Sequence, residues 1–443
     1  MNVAKFLDDV FGGALPVKVE AYDGTTAGSP DSKVTVIVRT PDALRRFLHA
    51  PGELGLARAY VAGDLDLEGS IFDLVSAQDV LTHLRPKPRQ LVAAARLLGA
   101  DAVRRLPLPP EEVRLRGRMH SRERDAAAVS HHYDVSNRFY ELILGPAMTY
   151  SCAVFESEAD SLETAQARKL ELVCRKLDLK EGMRLLDVGC GWGSMAIHAA
   201  RVHGVRVVGV TVSQRQVEWA RAAVARAGLQ DLVDIRCQDY RDINDGPYDA
   251  ISSIGMFEHV GTKRTAEYLS VLHGLLRPGG RLLNHAISST FEDNGELRSR
   301  SFLNRYVFPD GELMEAGQVV TAAQRAGFEA RNLESLREHY NLTLRRWVDN
   351  LEANWEEAVA EVGEGRTRVW HLYLAGSADN FGRGGISVNQ LLAVRPAERG
   401  ASGMPLRPAW EPPNGEQGRV ADWLAAPAAG TALTVDRDSI HTD

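Results

Sequence analysis

The rhythm of apolar and polar positions changes along the chain. Lys33 to Arg39 (KVTVIVR) alternates and is β-branched, which predicts a strand. Thr40 followed by Pro41 marks a helix start, with proline at the first helical position. Leu54 to Gly69 predicts a short helix and a Gly-Asp turn. From residue 183 the pattern becomes regular. Buried-strand runs at Met183–Val188, Val205–Val210, Val233–Cys237, Tyr248–Ile254 and Arg281–Ile287 alternate with helices at Ser194–His203, Gln214–Ala227 and Thr265–Leu276. Such alternation means an α/β fold, a parallel sheet covered by helices on both faces. It divides the chain into an N-terminal α+β unit over 1–80, a Pro-punctuated connector over 81–128, a main domain over 129–396, and a Pro/Gly/Ala-rich tail over 397–443 expected to be mobile. No internal repeat is visible.

A length of 443 residues fits two globular units. No apolar run reaches the roughly 18–20 residues of a membrane span, and acids interrupt the apolar N-terminal stretch, unlike a secretory signal. Cys152, Cys174, Cys190 and Cys237 lack paired spacing, and the 13 histidines show no H-x-x-x-H. Neither a disulfide framework nor a zinc site is expected, which fits a reducing cytoplasm. The formal charge of −7 argues against nucleic-acid binding. Leu84 to Asp125, however, sets eleven Lys/Arg against five acids, a local +6. That segment is either a solvated connector or a surface for anionic headgroups, each cation contributing about 1 kcal/mol there.

The strongest single motif is Leu186-Asp187-Val188-Gly189-Cys190-Gly191-Trp192-Gly193, between a strand and a helix. Glycines let the backbone turn tightly against a ligand, and the following helix offers free N–H donors to a carboxylate. The alternating glycines, with Asp187 two residues before the first, depart from the dinucleotide pattern G-x-G-x-x-G. They resemble the first motif of class I S-adenosylmethionine (SAM) methyltransferases. The second strand ends without an acid for ribose hydroxyls, leaving Thr211 and Gln216 as hydrogen-bonding groups, with Ser213 as a helix cap. After the third strand, Asp239 could accept from the adenine amino group and Tyr240 could stack on the ring; a plain loop is the alternative.

Further segments follow in order: His131-His132-Tyr133-Asp134-Val135-Ser136-Asn137 with Phe139-Tyr140, Thr149-Tyr150-Ser151-Cys152, Gly255-Met256-Phe257-Glu258-His259-Val260-Gly261, Asn284-His285-Ala286-Ile287, His339-Tyr340 with Thr343-Leu344 and Trp347, and Val388-Asn389-Gln390. Together they resemble the cyclopropane-fatty-acid synthases and the related mycolic-acid and tuberculostearic-acid methyltransferases. The resemblance covers about residues 129–396 and extends more weakly to Ala57–Gly63 and Asp64-Leu65.

The resemblance implies a Rossmann-like seven-stranded sheet with a small N-terminal α+β domain. It implies SAM contacts from Tyr150, Ser151, Asp187, Gly189, Gly191, Thr211, Val212 and Gln216, with Asp239 and Tyr240 at the adenine. It also implies a bicarbonate ion surrounded by Cys152, Glu258, His285, Tyr340 and, through its backbone, Ile287. Each has a plainer reading: Cys152 as a buried apolar residue, His285 as a structural histidine, Glu258 as a helix start. His131 and His132 read as structural. The implied reaction is methyl transfer to the cis double bond of an unsaturated phospholipid acyl chain, at the inner face of the membrane. Its product is a cyclopropane or a methylene- or methyl-branched chain; residues 341–363 look closest to the branch-forming relatives. A methyl branch would need a separate reductase, because no nicotinamide or flavin site is legible. Methylation of a small polar acceptor, or a non-catalytic lipid carrier, are the alternatives. The N-terminal unit either binds lipid or mediates homodimerisation.

Overall fold

The computed structural model describes residues 2–13, 15–76, 87–113, 124, 135–290, 301–309, 311–408 and 410. Its N-terminal unit holds strands β1 (Lys18–Ala21), β2 (Thr26–Ala27), β3 (Thr35–Val38) and β4 (Leu65–Glu68), ordered β2-β1-β3-β4. Thr40 Oγ1 accepts the Asp42 amide at 3.2 Å, so it does serve the start of the helix Asp42–His49. Within the stretch expected to be a connector, Pro88–Leu98 is a helix whose Ala94 and Leu98 join the N-terminal core with Phe6, Val19 and Phe47.

The main sheet comprises β5 (Arg184–Val188), β6 (Arg206–Thr211), β7 (Val233–Cys237), β8 (Tyr248–Ile254), β9 (Leu276–Ser289), β10 (Glu329–Ser335) and β11 (Ile386–Val394). Their order is β10-β11-β9-β8-β5-β6-β7, with β11 antiparallel to both its neighbours. The seven-stranded α/β expectation therefore holds, but the sheet is mixed rather than wholly parallel, because β11 runs against β9 and β10. Chain order reverses between β5 and β8, and ligands of such sheets bind beyond the strand carboxyl ends at that switch.

Two apolar layers sandwich the sheet. One gathers Leu185, Val207 and Leu283 under the helices Leu162–Leu177, Ser194–His203 and Gln214–Arg226. The other gathers Leu186, Val188 and Leu282 under Thr265–Leu275 and Ala316–Arg325. A third cluster sits at the site end of the sheet, built largely by the helices Asn137–Leu144, Arg337–Ala353 and Glu364–Gly382. Leu54, Ala57, Val61, Ile71 and Val75 of the N-terminal unit belong to this same cluster. Tyr60 Oη and His371 Nδ1 meet there at 2.8 Å, and Arg58 grips the fully buried Glu112 carboxylate through two 2.7 Å hydrogen bonds. Among the described residues no helix is long and apolar enough to cross a membrane.

A cofactor cleft beside a closed polar cluster

The glycine turn leaves β5 and folds back on β6: the Gly189 and Cys190 amides donate to Val210 O at 2.9 and 3.0 Å. Gly189 has φ +76°, and a Cβ there would stand 3.1 Å from Met256 Cβ, so only glycine fits without displacement. The helix Ser194–His203 starts at Gly193 without a side-chain cap, which leaves its first N–H groups for a ligand.

Opposite the turn, the helix Leu162–Leu177 presents Gln166 and Lys169 on one face. Gln166 Nε2 donates to Thr149 O at 3.3 Å and Ser151 O at 2.8 Å, while Lys169 Nζ donates to Ser151 Oγ at 2.9 Å. The segment 149–151 is thereby pinned against the turn. Between them lies a cavity of about 160 Å³. Tyr150, Ser151, Asp187, Gly189, Gly191, Thr211, Val212, Gln216, Asp239 and Tyr240 all line it.

The far end of the cavity is set by β6 and β7. Thr211 Oγ1 donates to Gln216 Oε1 at 2.7 Å, and Ser213 caps the following helix at the Gln216 amide. Asp239 accepts twice from the Arg241 guanidinium, at 2.7 and 2.5 Å. The Tyr240 ring packs edge-on to Tyr268, with centroids 5.0 Å apart. Both therefore line the cavity while already serving the local turn.

A second group gathers beside this cavity. Glu258, on the turn after β8, accepts the Ile287 amide through Oε1 at 2.7 Å. Ile287 lies two residues beyond His285 on β9, on the same face of the strand. Leu336 N donates to Val388 O, and Val388 pairs with Ile287, which places the helix Arg337–Ala353 and its Tyr340 alongside. Cys152 Sγ lies 3.6 Å from Leu336 O, and the next amide, Ala153 N, donates to Thr343 Oγ1 at 3.0 Å. Cys152 and Tyr340 are buried in the third apolar cluster, with Ile287 packed on it. Tyr150 joins that cluster from the cavity side: its ring is 5.2 Å from Trp347 and 5.9 Å from Trp370, and its hydroxyl is 2.9 Å from that of Tyr373. The Ile287 amide, expected beside a bound anion, donates to the Glu258 carboxyl in this structure.

Burial governs the electrostatics. Desolvation pushes the Glu258 carboxyl up to about 7, opposed by the Ile287 amide. It drives His285 down to about 3, assisted by the Lys169 and Lys176 charges. Lys169, 1% exposed, is lowered to about 8, and Asp187 is raised to about 6. The Cys152 thiol is held well above its usual range, so it is no nucleophile. Glu258 Oε2, His285 Nε2 and Asp187 Oδ2 are buried with no hydrogen-bond partner among the described residues. Buried polar atoms are rarely left unpaired, so each of these three is placed to make a hydrogen bond with a polar ligand.

Residues 120–391 match the family model of mycolic acid cyclopropane synthetase. The chain belongs to that family. Over 90% of its length it is 46% identical to a probable fatty acid methyltransferase of Mycobacterium tuberculosis, covering 96% of that protein. Over 82% it is 34% identical to the cyclopropane-fatty-acyl-phospholipid synthase of Escherichia coli, covering 88% of it. A solved mycolic acid cyclopropane synthase in complex with SAH and CTAB is 36% identical; it covers 60% of this chain and 97% of its own, with a TM-score of 0.57. This synthetase-family member is accordingly a lipid-modifying, SAM-dependent methyltransferase. The cleft suits that cofactor: a Cβ-free turn, uncapped helix N–H groups and the buried Asp187 oxygen all face one cavity.

Lys169 was not singled out from the sequence, although a lysine inside the apolar stripe Leu162, Ala165, Leu170, Val173 was a legible signal. Nor were Trp370 and Tyr373, which no chemical motif marks. The synthetase-family member also brings Glu171, Cys174, His198 and His203 together, with metal-capable atoms within 4.8 Å of one another. Cysteine and histidine spacing did not announce this cluster. Glu171 Oε2 accepts from both imidazoles at 3.2 and 3.0 Å while Arg175 holds Oε1 at 2.7 Å, so the carboxylate is already satisfied. His131, His132, Tyr133 and Asp134 lie outside the described residues, as do Arg85, Arg114, Arg116, Arg118 and Arg122 of the basic segment. Of that segment, Asn137 accepts the Trp192 indole N–H at 2.9 Å and braces the glycine turn.

Proposed function

We propose that the enzyme transfers a methyl group to the cis double bond of an unsaturated phospholipid acyl chain, with a cyclopropane as product. A methylene-branched chain would arise from the same residues if a hydride shift precedes proton loss, and a methyl branch only after a separate reductase reduces that methylene. The observation that carries this reading is that Glu258 Oε2 and His285 Nε2 are buried and without partners among the described residues, on segments whose neighbours Met256 and His259 line the cofactor cleft and whose Ile287 packs on the aromatic cluster.

An alkene is a weak nucleophile, so alignment in a dry slot carries much of the rate. SAM supplies an electrophilic methyl group. Attack leaves positive charge on the acyl chain, which water would trap; the mutually packed rings of Tyr150, Trp347 and Trp370 would help exclude water. Glu258, when ionised, stabilises that charge. Burial disfavours the imidazolium form of His285, which makes it a weak base for the proton lost from the added methyl. A bicarbonate ion suits the donors and acceptors of His285, Tyr340, Cys152 and Glu258, and would supply a base that is not alkylated.

The lipid substrate would be met at a membrane surface, with the basic segment Leu84–Asp125 against anionic headgroups at the inner face. The test is mass spectrometry of phospholipid vesicles incubated with enzyme and methyl-labelled SAM. A gain of one methylene unit on monounsaturated chains, dependent on added bicarbonate, is expected. Label on a small polar acceptor, or unchanged lipid despite SAM binding, would overturn the reading.

A further inference from the structure

A chain of side chains runs from the sheet edge to His285. Glu334, partly exposed on β10, pairs with Lys176, whose side chain is fully buried. Lys176 Nζ donates to Gln390 Oε1 at 2.8 Å, and Gln390 Nε2 lies 3.2 Å from His285 Nδ1. Gln390 stands directly opposite His285 in the β11–β9 ladder, so the backbone holds the two in register.

The donor inventory decides the direction of these bonds. An ammonium has donors and no acceptor, so the Gln390 atom it meets must be the carbonyl oxygen. The amide NH2 then points to the imidazole and must donate there. Nδ1 of His285 is therefore the acceptor, with a bare lone pair, and the ring proton sits on Nε2. Without Lys176 an amide could flip and offer its oxygen to Nδ1 instead, which would reverse the ring.

We propose that Lys176 and Gln390 are positioning residues that lock His285 in the Nε2–H tautomer, so that its buried, unpartnered Nε2 is a hydrogen-bond donor. The group beside it during turnover is then an acceptor, an oxyanion, and never a proton source. This rests on the functional reading above and sharpens it: the imidazole holds the base in place and is not the base.

The tautomer is measurable without turnover. Nitrogen–proton correlation spectra of protein carrying isotope-labelled histidine, with the His285 signals assigned by their loss in His285→Gln, are expected to show Nε2–H. Gln390→Glu places a carboxylate against Nδ1 and is expected to switch the signal to Nδ1–H. Its kcat on vesicle lipid should fall about 10–100-fold, the usual range for losing an orienting partner, while KM for SAM stays unchanged. Lys176→Met is expected to give mixed tautomers and a smaller loss. A wild-type Nδ1–H signal overturns the proposal even if neither variant folds, as does a Gln390→Glu enzyme with full kcat. If wild-type protein shows Nε2–H yet methylates no lipid, the functional reading falls and the tautomer assignment stands.

Discussion

Glu258 and Ile287 are joined by a 2.7 Å hydrogen bond from the Ile287 amide to one carboxyl oxygen, and the other oxygen of Glu258 is buried without a partner among the described residues. One bond orients the group; the missing second one makes it available. The ladder register between β8 and β9, with Ile254 opposite His285, brings Glu258 within reach of that amide.

Burial raises Glu258 to about 7, above its unfolded value near 4.5. The carboxyl is neutral in both states at low pH. Between about 4.5 and 7 the unfolded chain ionises and the folded protein does not, so stability falls across that window and is level above it. A Glu258→Gln protein should be about 3 kcal/mol more stable than wild type at pH 8 and equal to it at pH 4, by denaturant titration. Equal stability at pH 8 would show that the carboxyl is not desolvated.

The same ionisation should appear in turnover. The wild-type rate is expected to rise as pH increases through about 7, because only the carboxylate counters positive charge on the acyl chain. Glu258→Gln should bind SAM normally, lose most activity and show no such limb.

Lys169 is a buried cation in the cleft wall, donating to Ser151 and lowered to about 8. Lys169→Met should weaken SAM binding about 10–100-fold, the worth of a charge-assisted hydrogen bond. In wild type, SAM affinity should decline as pH rises past about 8. Calorimetry at pH 7 and 9 checks both, and a pH-independent affinity would remove Lys169 from the cofactor site.

A Cβ at Gly189 would press on Met256 at 3.1 Å and force a left-handed φ on alanine. Gly189→Ala should cut SAM affinity about tenfold or more while far-ultraviolet circular dichroism stays unchanged, since the strain is confined to the turn.

Glu112 has a fully buried carboxylate held by Arg58 of the N-terminal unit. Arg58→Met should destabilise the whole protein by about 3–5 kcal/mol in a single transition, as expected for an uncompensated buried charge. Two separate melting transitions, with the catalytic domain unaffected, would contradict the shared core.

The order of strands and helices from residue 183 to 287 was legible in the sequence, because buried parallel strands and amphipathic helices write their period locally; β10, the antiparallel β11 and the helices between them were not. The glycine turn was legible for the same reason: a Cβ-free backbone is a property of the residues themselves. All ten residues named for the cofactor line one cavity, yet Asp239 and Tyr240 also turn out to serve their own loop. The grouping of Cys152, Glu258, His285, Ile287 and Tyr340 came from family resemblance, since nothing local marks a lone cysteine or histidine as part of a site. Tertiary structure alone decided that the Ile287 amide serves Glu258, that Lys169 and Lys176 are buried, and that helix Pro88–Leu98 packs on the N-terminal core. It also decided that Gln390 stands opposite His285. These depend on which distant segments exclude water from one another, and periodicity along a chain carries no record of that.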